Sequence, residues 1–220
     1  VKRLSETKER ITKAARHLFY SQGYSNTTIK QICAAAGVPV GSVYHFFENK
    51  YAILSEVTYG AYDLHTAAVD SFFKDREISN EYRYCAICMC MFYAMEQNVT
   101  ACALTIECYR DGKYLNELSA HVSEANYRMF GHYAPEISSE EYFQRTLFVE
   151  GGIYAFMAQR CLGNRNSFIE RLRTFFSIAL SAYFVPDVLI KETVSDANLR
   201  KLIEDARQID NILGYRQYGI

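Results

Sequence analysis

The stretch from Thr27 to Lys50, TTIKQICAAAGVPVGSVYHFFENK, reads as two short helices joined by a glycine turn and closed by a lysine. Thr28 is placed to cap the first helix, and Gln31, three residues on, can return a hydrogen bond to the cap's own backbone N–H, as a capping box requires. Ile29, Ile32, Cys33 and Ala36 recur at helical spacing as one small apolar face. Gly37 suits the left-handed conformation that ends a helix, and Pro39 cannot continue the same hydrogen-bond ladder, so the chain must turn between Ala36 and Val40. In the second helix Val43, Phe46 and Phe47 form the face that packs on the first, which leaves Val40, Gly41, Ser42, Tyr44 and His45 near the solvent side. This is a helix-turn-helix, and a helix of that size fits a DNA major groove.

Outward from this stretch, every pattern is helical. Residues 5–22 place Ile11, Ala14, Ala15, Leu18 and Phe19 on one stripe, and Gly23 ends that helix. Asn49 caps a long helix from Lys50 to about Phe73, which connects a small head to a larger body. After the polar break KDREISN, residues 81–97 form a helix apolar almost all round, which belongs in an interior. Further helices are expected over about 100–109, 113–133, 139–162, 166–184 and 195–213, separated by Asp111-Gly112, Pro135, Gly163-Asn164 and Pro186. No stretch alternates as a strand, so the expected fold is all-α with roughly ten helices, divided into a head of residues 1–52 and a body of 53–220.

At 220 residues, 50% hydrophobic and 22% charged, the chain can bury one good core or two modest ones. No run of apolar residues is long enough to span a membrane and no leader pattern precedes Val1, so a cytoplasmic location without a membrane partner is expected. Seven scattered cysteines also fit a reducing compartment. Net charge is −1, yet residues 1–50 carry eight Lys/Arg against three Asp/Glu, and the remainder carries sixteen against twenty-two. A basic head on an acidic body points to a polyanion partner for the head, with ordinary surface variation as the alternative.

The combination of a first helix, the spaced features Thr27-Thr28, Ile32, Ala36-Gly37-Val38, Gly41, Tyr44, Phe46-Phe47 and Asn49-Lys50, and an immediate long helix closely resembles the DNA-binding domain of TetR-type transcriptional regulators over about residues 5–60. The resemblance implies a ligand-responsive regulator, most simply a repressor that binds a palindromic operator in double-stranded DNA as a homodimer. It implies that Tyr44 and Lys50 grip phosphates, that Thr28 and Lys30 approach the DNA from the second helix, and that Val40, Gly41, Ser42 and His45 face base edges. A hydroxyl and an ammonium are suitable phosphate donors, Ser42 can donate or accept at a base edge, and Val40 can meet a thymine methyl. Pro39 and Val40 stand where many relatives have a small hydroxyl residue and a polar or basic one, so hydrogen-bonded base readout is expected to be thin. The resemblance also implies that the helices at 139–162 and 166–184 form a four-helix bundle with a second copy. Gly151, Gly152, Ala155 and Ala158 on the first, with Ser177, Ala179, Ser181 and Ala182 on the second, supply small-residue surfaces for that contact.

The body's interior candidates are aromatic and sulfur-rich. Tyr62, His65, Met89, Phe92, Tyr93, Tyr109, Tyr127, Phe130 and Tyr154 are expected to line a pocket for an apolar or aromatic small-molecule effector, with plain core packing as the alternative for each. Glu107 and Arg110, with His65, are the polar residues expected to orient it, with a surface or otherwise satisfied group as the alternative for each. Cys85, Cys88 and Cys90 in CAICMC diverge around a helix, Cys90 pointing about 160° from Cys88, so they read as buried small side chains, as do Cys102, Cys108 and Cys161. No metal site or cofactor is expected. A helical enzyme or a protein-interaction adaptor remains as the alternative, although the chain contains no Gly-rich phosphate loop, H-E-x-x-H or nucleophile motif and its five histidines are dispersed.

Overall fold

The computed structural model describes residues 2–161 and 167–213, with side chains described over 5–159 and 167–213. The expected break at Gly163-Asn164 and the side chain of Cys161 lie outside the described residues. The described residues form eleven α-helices and one 3₁₀ turn, and no strand. The head comprises α1 (Lys2–Gln22), α2 (Ile29–Ala36) and α3 (Val40–Phe46). The body comprises α4 (Lys50–Phe72), α5 (Asn80–Gln97), α6 (Val99–Tyr109), α7 (Gly112–Phe130), the 3₁₀ turn Gly131–Tyr133, α8 (Ser139–Cys161), α9 (Phe168–Ala182), α10 (Asp187–Thr193) and α11 (Asp196–Leu213).

Helix α10 is absent from the sequence reading. Pro186 ends the left-handed turn at Phe184, but it also stands as N-cap of α10, where a missing N–H costs nothing and a fixed φ helps.

Ile11, Ala15 and Phe19 of α1 bury against Ile32, Cys33, Ala36, Val43 and Phe47, which closes the head around one small core. That core continues into the body, because α1 packs on α4 and α6 as well as on α2. The expected division at residue 52 therefore falls inside α4, a helix that both parts share.

Helix α5 is wrapped on all sides, as its lack of a polar face demands. Helix α11 covers it with Leu199, Leu202, Ala206 and Ile209, and the Tyr82 hydroxyl donates to Asp205 Oδ2 at 2.7 Å. Arg83 holds it to Asp70 of α4 with two hydrogen bonds of 2.7 Å. Among the described residues, no helix is long and apolar enough to cross a membrane.

Candidate nucleic-acid interface and body cavity

The head is assembled by the contacts its residue types dictate. The Thr28 hydroxyl accepts from the Gln31 N–H at 3.2 Å while Gln31 Oε1 accepts from the Thr28 N–H at 2.8 Å, a complete capping box. Gly37 ends α2 at φ 63°, ψ 41°, and the Arg10 guanidinium donates to the carbonyls of Ala36 and Gly37, where a cation complements the end of a helix. Val43 and Phe47 are buried. Val40, Gly41, Tyr44 and His45 are exposed on the opposite side of α3, Ser42 is half-buried, and Thr28 and Lys30 are exposed on α2. Val40 and Tyr44 stand 42% and 56% exposed, so two large apolar side chains face solvent on a helix whose inner side buries Val43 and carries Phe46 half-buried.

Lys50 has a role that the sequence reading does not include. Its Nζ donates to the carbonyls of Tyr24 and Thr27, each at 2.8 Å, and sits 4.0 Å from the centre of the Tyr24 ring. Burial lowers its pKa. These contacts explain a cation at a helix N-terminus, where the dipole opposes it: Lys50 ties the start of α4 to the α1–α2 turn. Two of its three N–H donors are thereby committed within the head.

In the body, α1 and α4 to α8 enclose a cavity of about 80 Å³. Tyr62, His65 and Tyr109 line it as expected. Met89, Phe92, Tyr93, Tyr127, Phe130 and Tyr154 do not. On α5 the cavity meets Tyr84, Ile87, Cys88, Met91, Ala94 and Met95, the face opposite that of Met89, Phe92 and Tyr93. Met89 and Phe92 pack in the core, Phe92 stacking on Phe156, and Phe130 stacks on Tyr183. Tyr127 is 41% exposed, and Glu107 and Arg110 are also exposed, so none of these three orients a ligand in this cavity.

The residue that sequence reasoning missed is Glu150. It is buried on the cavity wall, its Oε2 accepts from the Tyr109 hydroxyl at 2.7 Å, and burial pushes its pKa up to about 7 against the smaller, opposite effect of that hydrogen bond. The signal was present as a lone acid inside the apolar run LFVEGGIYAFM. Burial also holds the other titratable wall groups neutral: it lowers His65 to about 4, and it raises the hydroxyls of Tyr62, Tyr84, Tyr109 and Tyr114 and the thiol of Cys88. Tyr20, from α1 in the head, completes the wall.

The cysteines follow their expected role. Cys85, Cys88, Cys90, Cys102 and Cys108 are buried.

A groove of about 340 Å³ runs between α8 and α9. Gly152, Ala155, Ala179 and Ala182 line it; Gly151, Ala158, Ser177 and Ser181 do not. Phe148 and Ile178, 80% and 64% exposed, form its rim.

Residues 11–57 match the family described as bacterial regulatory proteins, tetR family. The match covers the helix-turn-helix and the start of α4. The transcriptional regulator SrpR of Pseudomonas putida is 44% identical over 52 residues, and AcrR of Shigella flexneri is 40% identical over 52 residues; each match spans 24% of this chain and 24% of the relative. The chain thus matches about a quarter of the length of these relatives, and the likeness of fold extends further. RolR without ligand superposes with a TM-score of 0.63 at 17% identity, covering 84% of this chain and 95% of that one. RolR in complex with resorcinol gives a TM-score of 0.55 at 17% identity, covering 89% and 96%. TylP, a tetR regulator of Streptomyces fradiae, gives 0.58 at 17% identity, covering 94% and 92%.

Proposed function

We propose that this protein is a cytoplasmic transcriptional repressor, with a DNA-binding head of residues 1–52 and an effector-binding, dimerising body of 53–220. It binds a palindromic operator in duplex DNA as a homodimer and is released by an apolar or aromatic small molecule. The observation that carries this reading is the outer face of α3, where Val40 and Tyr44 are displayed to solvent beside Gly41 and His45 while Val43 is buried on the inner side. Tyr44 and Lys30 are donors for phosphates, Gly41 lets backbone approach closely, and Ser42 and His45 face base edges. Lys50 sets the angle between α4 and the helix-turn-helix, with one remaining N–H for a phosphate.

The groove between α8 and α9 supports dimerisation by a second copy seated on Phe148 and Ile178. Full burial of each such side chain contributes about 1.5–3 kcal/mol. Two heads held by that bundle must sit about 34–36 Å apart, or a multiple, to enter successive major grooves.

The cavity supports effector control. An apolar cavity of about 150 Å³ accommodates benzene, so this cavity of about 80 Å³ must widen to admit an aromatic ligand. The wall includes Tyr20 of α1 and Thr58, Ala61, Tyr62 and His65 of α4, so widening acts on the two helices that carry the head. Resorcinol, the ligand in the RolR complex, is an aromatic of this size class. A hundredfold loss of DNA affinity requires about 2.7 kcal/mol of coupling, and by reciprocity the effector then binds DNA-bound protein a hundredfold more weakly.

Fluorescence anisotropy with the duplex upstream of the coding sequence, in the presence of competitor DNA and protein, tests the reading. Specific binding to an inverted repeat, lost in Tyr44→Ala, is expected. Binding no tighter than to random duplex would refute it and favour an adaptor.

A further inference from the structure

We infer that the body cavity is built for an aromatic cation, a small protonated amine, whose positive charge sits against the Glu150 carboxylate among the rings of Tyr62, Tyr84, Tyr109 and Tyr114. This rests on the reading of the cavity as an effector site and names the effector's class.

Charge is the first argument. Among the described residues that line the wall, Glu150 is the single acidic one and there is no Lys or Arg. An anionic ligand would meet a like charge in a low-dielectric enclosure with no basic partner, whereas a cation neutralises a buried carboxylate that otherwise stays protonated or desolvated. His65 does not alter the balance, because burial keeps it neutral at physiological pH.

The wall chemistry agrees. The face of a tyrosine ring attracts a desolvated cation, and five tyrosines line this cavity, Tyr20 with the four named above. Met91, Met95 and Met129 supply unbranched, polarisable side chains that can rearrange as the space widens. The Tyr109 hydroxyl, 2.7 Å from Glu150 Oε2, fixes the carboxyl's position on the wall.

Isothermal titration on the DNA-free protein at pH 8 tests this with three probes of one shape: phenethylamine, 2-phenylethanol and phenylacetate. Phenethylammonium is expected to bind at least about tenfold more tightly than the alcohol, with phenylacetate weakest. In Glu150→Gln the preference over the alcohol should collapse to about twofold or less. In Glu150→Asp, which keeps the charge, the preference should persist, which separates loss of charge from disruption of the fold. Equal or tighter binding of the alcohol or the acid, an undiminished cation preference in Glu150→Gln, or no binding of any probe at millimolar concentration would overturn the inference. DNA release is measured separately by anisotropy. Cation binding without release would sink the effector reading and leave the assignment of the cavity's ligand class standing.

Discussion

Replacing Glu150 by Gln should change how stability depends on pH. The carboxyl is buried on the cavity wall, and its pKa rises from 4.5 to about 7 on folding. Between those values the folded chain holds a proton that the unfolded chain has lost, so stability is greatest below pH 4.5 and falls as pH rises through this window. At about 1.4 kcal/mol per tenfold, the full penalty above pH 7 is about 3 kcal/mol, while at pH 5 it is under about 1 kcal/mol. Glutamine keeps an oxygen to accept from Tyr109 and never ionises. Its advantage over the wild type should therefore be about 2 kcal/mol larger at pH 8 than at pH 5. His65 acts in the opposite sense: its pKa falls from 6.5 to about 4 on folding, so it removes stability as pH drops below 6.5. Both proteins carry it, so the comparison at matched pH cancels it. The remaining titratable groups around Glu150, namely Tyr62, Tyr84, Cys88, Tyr109, Tyr114 and Tyr183, are all pushed upward and stay neutral to pH 8. Urea unfolding followed by circular dichroism at pH 5 and 8, at one protein concentration so that any association enters equally, measures the difference. An equal advantage for Glu150→Gln at both pH values would refute the reasoning.

Three further outcomes follow from the head and the groove. Lys30→Ala should flatten the slope of log K for DNA against log salt by about 0.9, the loss of one phosphate contact, whereas an unchanged slope would remove Lys30 from the interface. Lys50→Ala should lower stability by about 2 kcal/mol in thermal or urea unfolding, since it abandons two charge-assisted hydrogen bonds to the Tyr24 and Thr27 carbonyls; unaltered unfolding would mean that these bonds contribute nothing. Phe148→Glu should yield monomers in sedimentation velocity, as should Gly152→Leu, whose Cβ meets Phe175 at an ordinary 3.6 Å and whose longer side chain would fill the groove. Dimers persisting in both variants would move the interface elsewhere.

The sequence by itself determined the local structure. Capping boxes, a left-handed glycine and a proline act over three or four residues, so Thr28, Gln31, Gly37 and Asn49 were legible with their partners. The inner face of α3 was legible for a related reason: a seven-residue helix with Val43, Phe46 and Phe47 at helical spacing can bury only one side. Helix α5 shows where that reasoning stops. Its sequence is apolar all round, so periodicity cannot say which side meets packed neighbours and which meets a cavity: Met89, Phe92 and Tyr93 are as suitable by residue type as Tyr84, Cys88, Met91 and Met95, which form the wall. Only the placement of α11 on one side of α5 decided that. Tertiary structure alone also brought Tyr20 from the head and Glu150 from α8 to one cavity, and it set Lys50 against carbonyls more than twenty residues earlier in the chain. Such contacts arise from how helices pack, and a linear pattern records the faces that helices offer without recording which neighbour takes them.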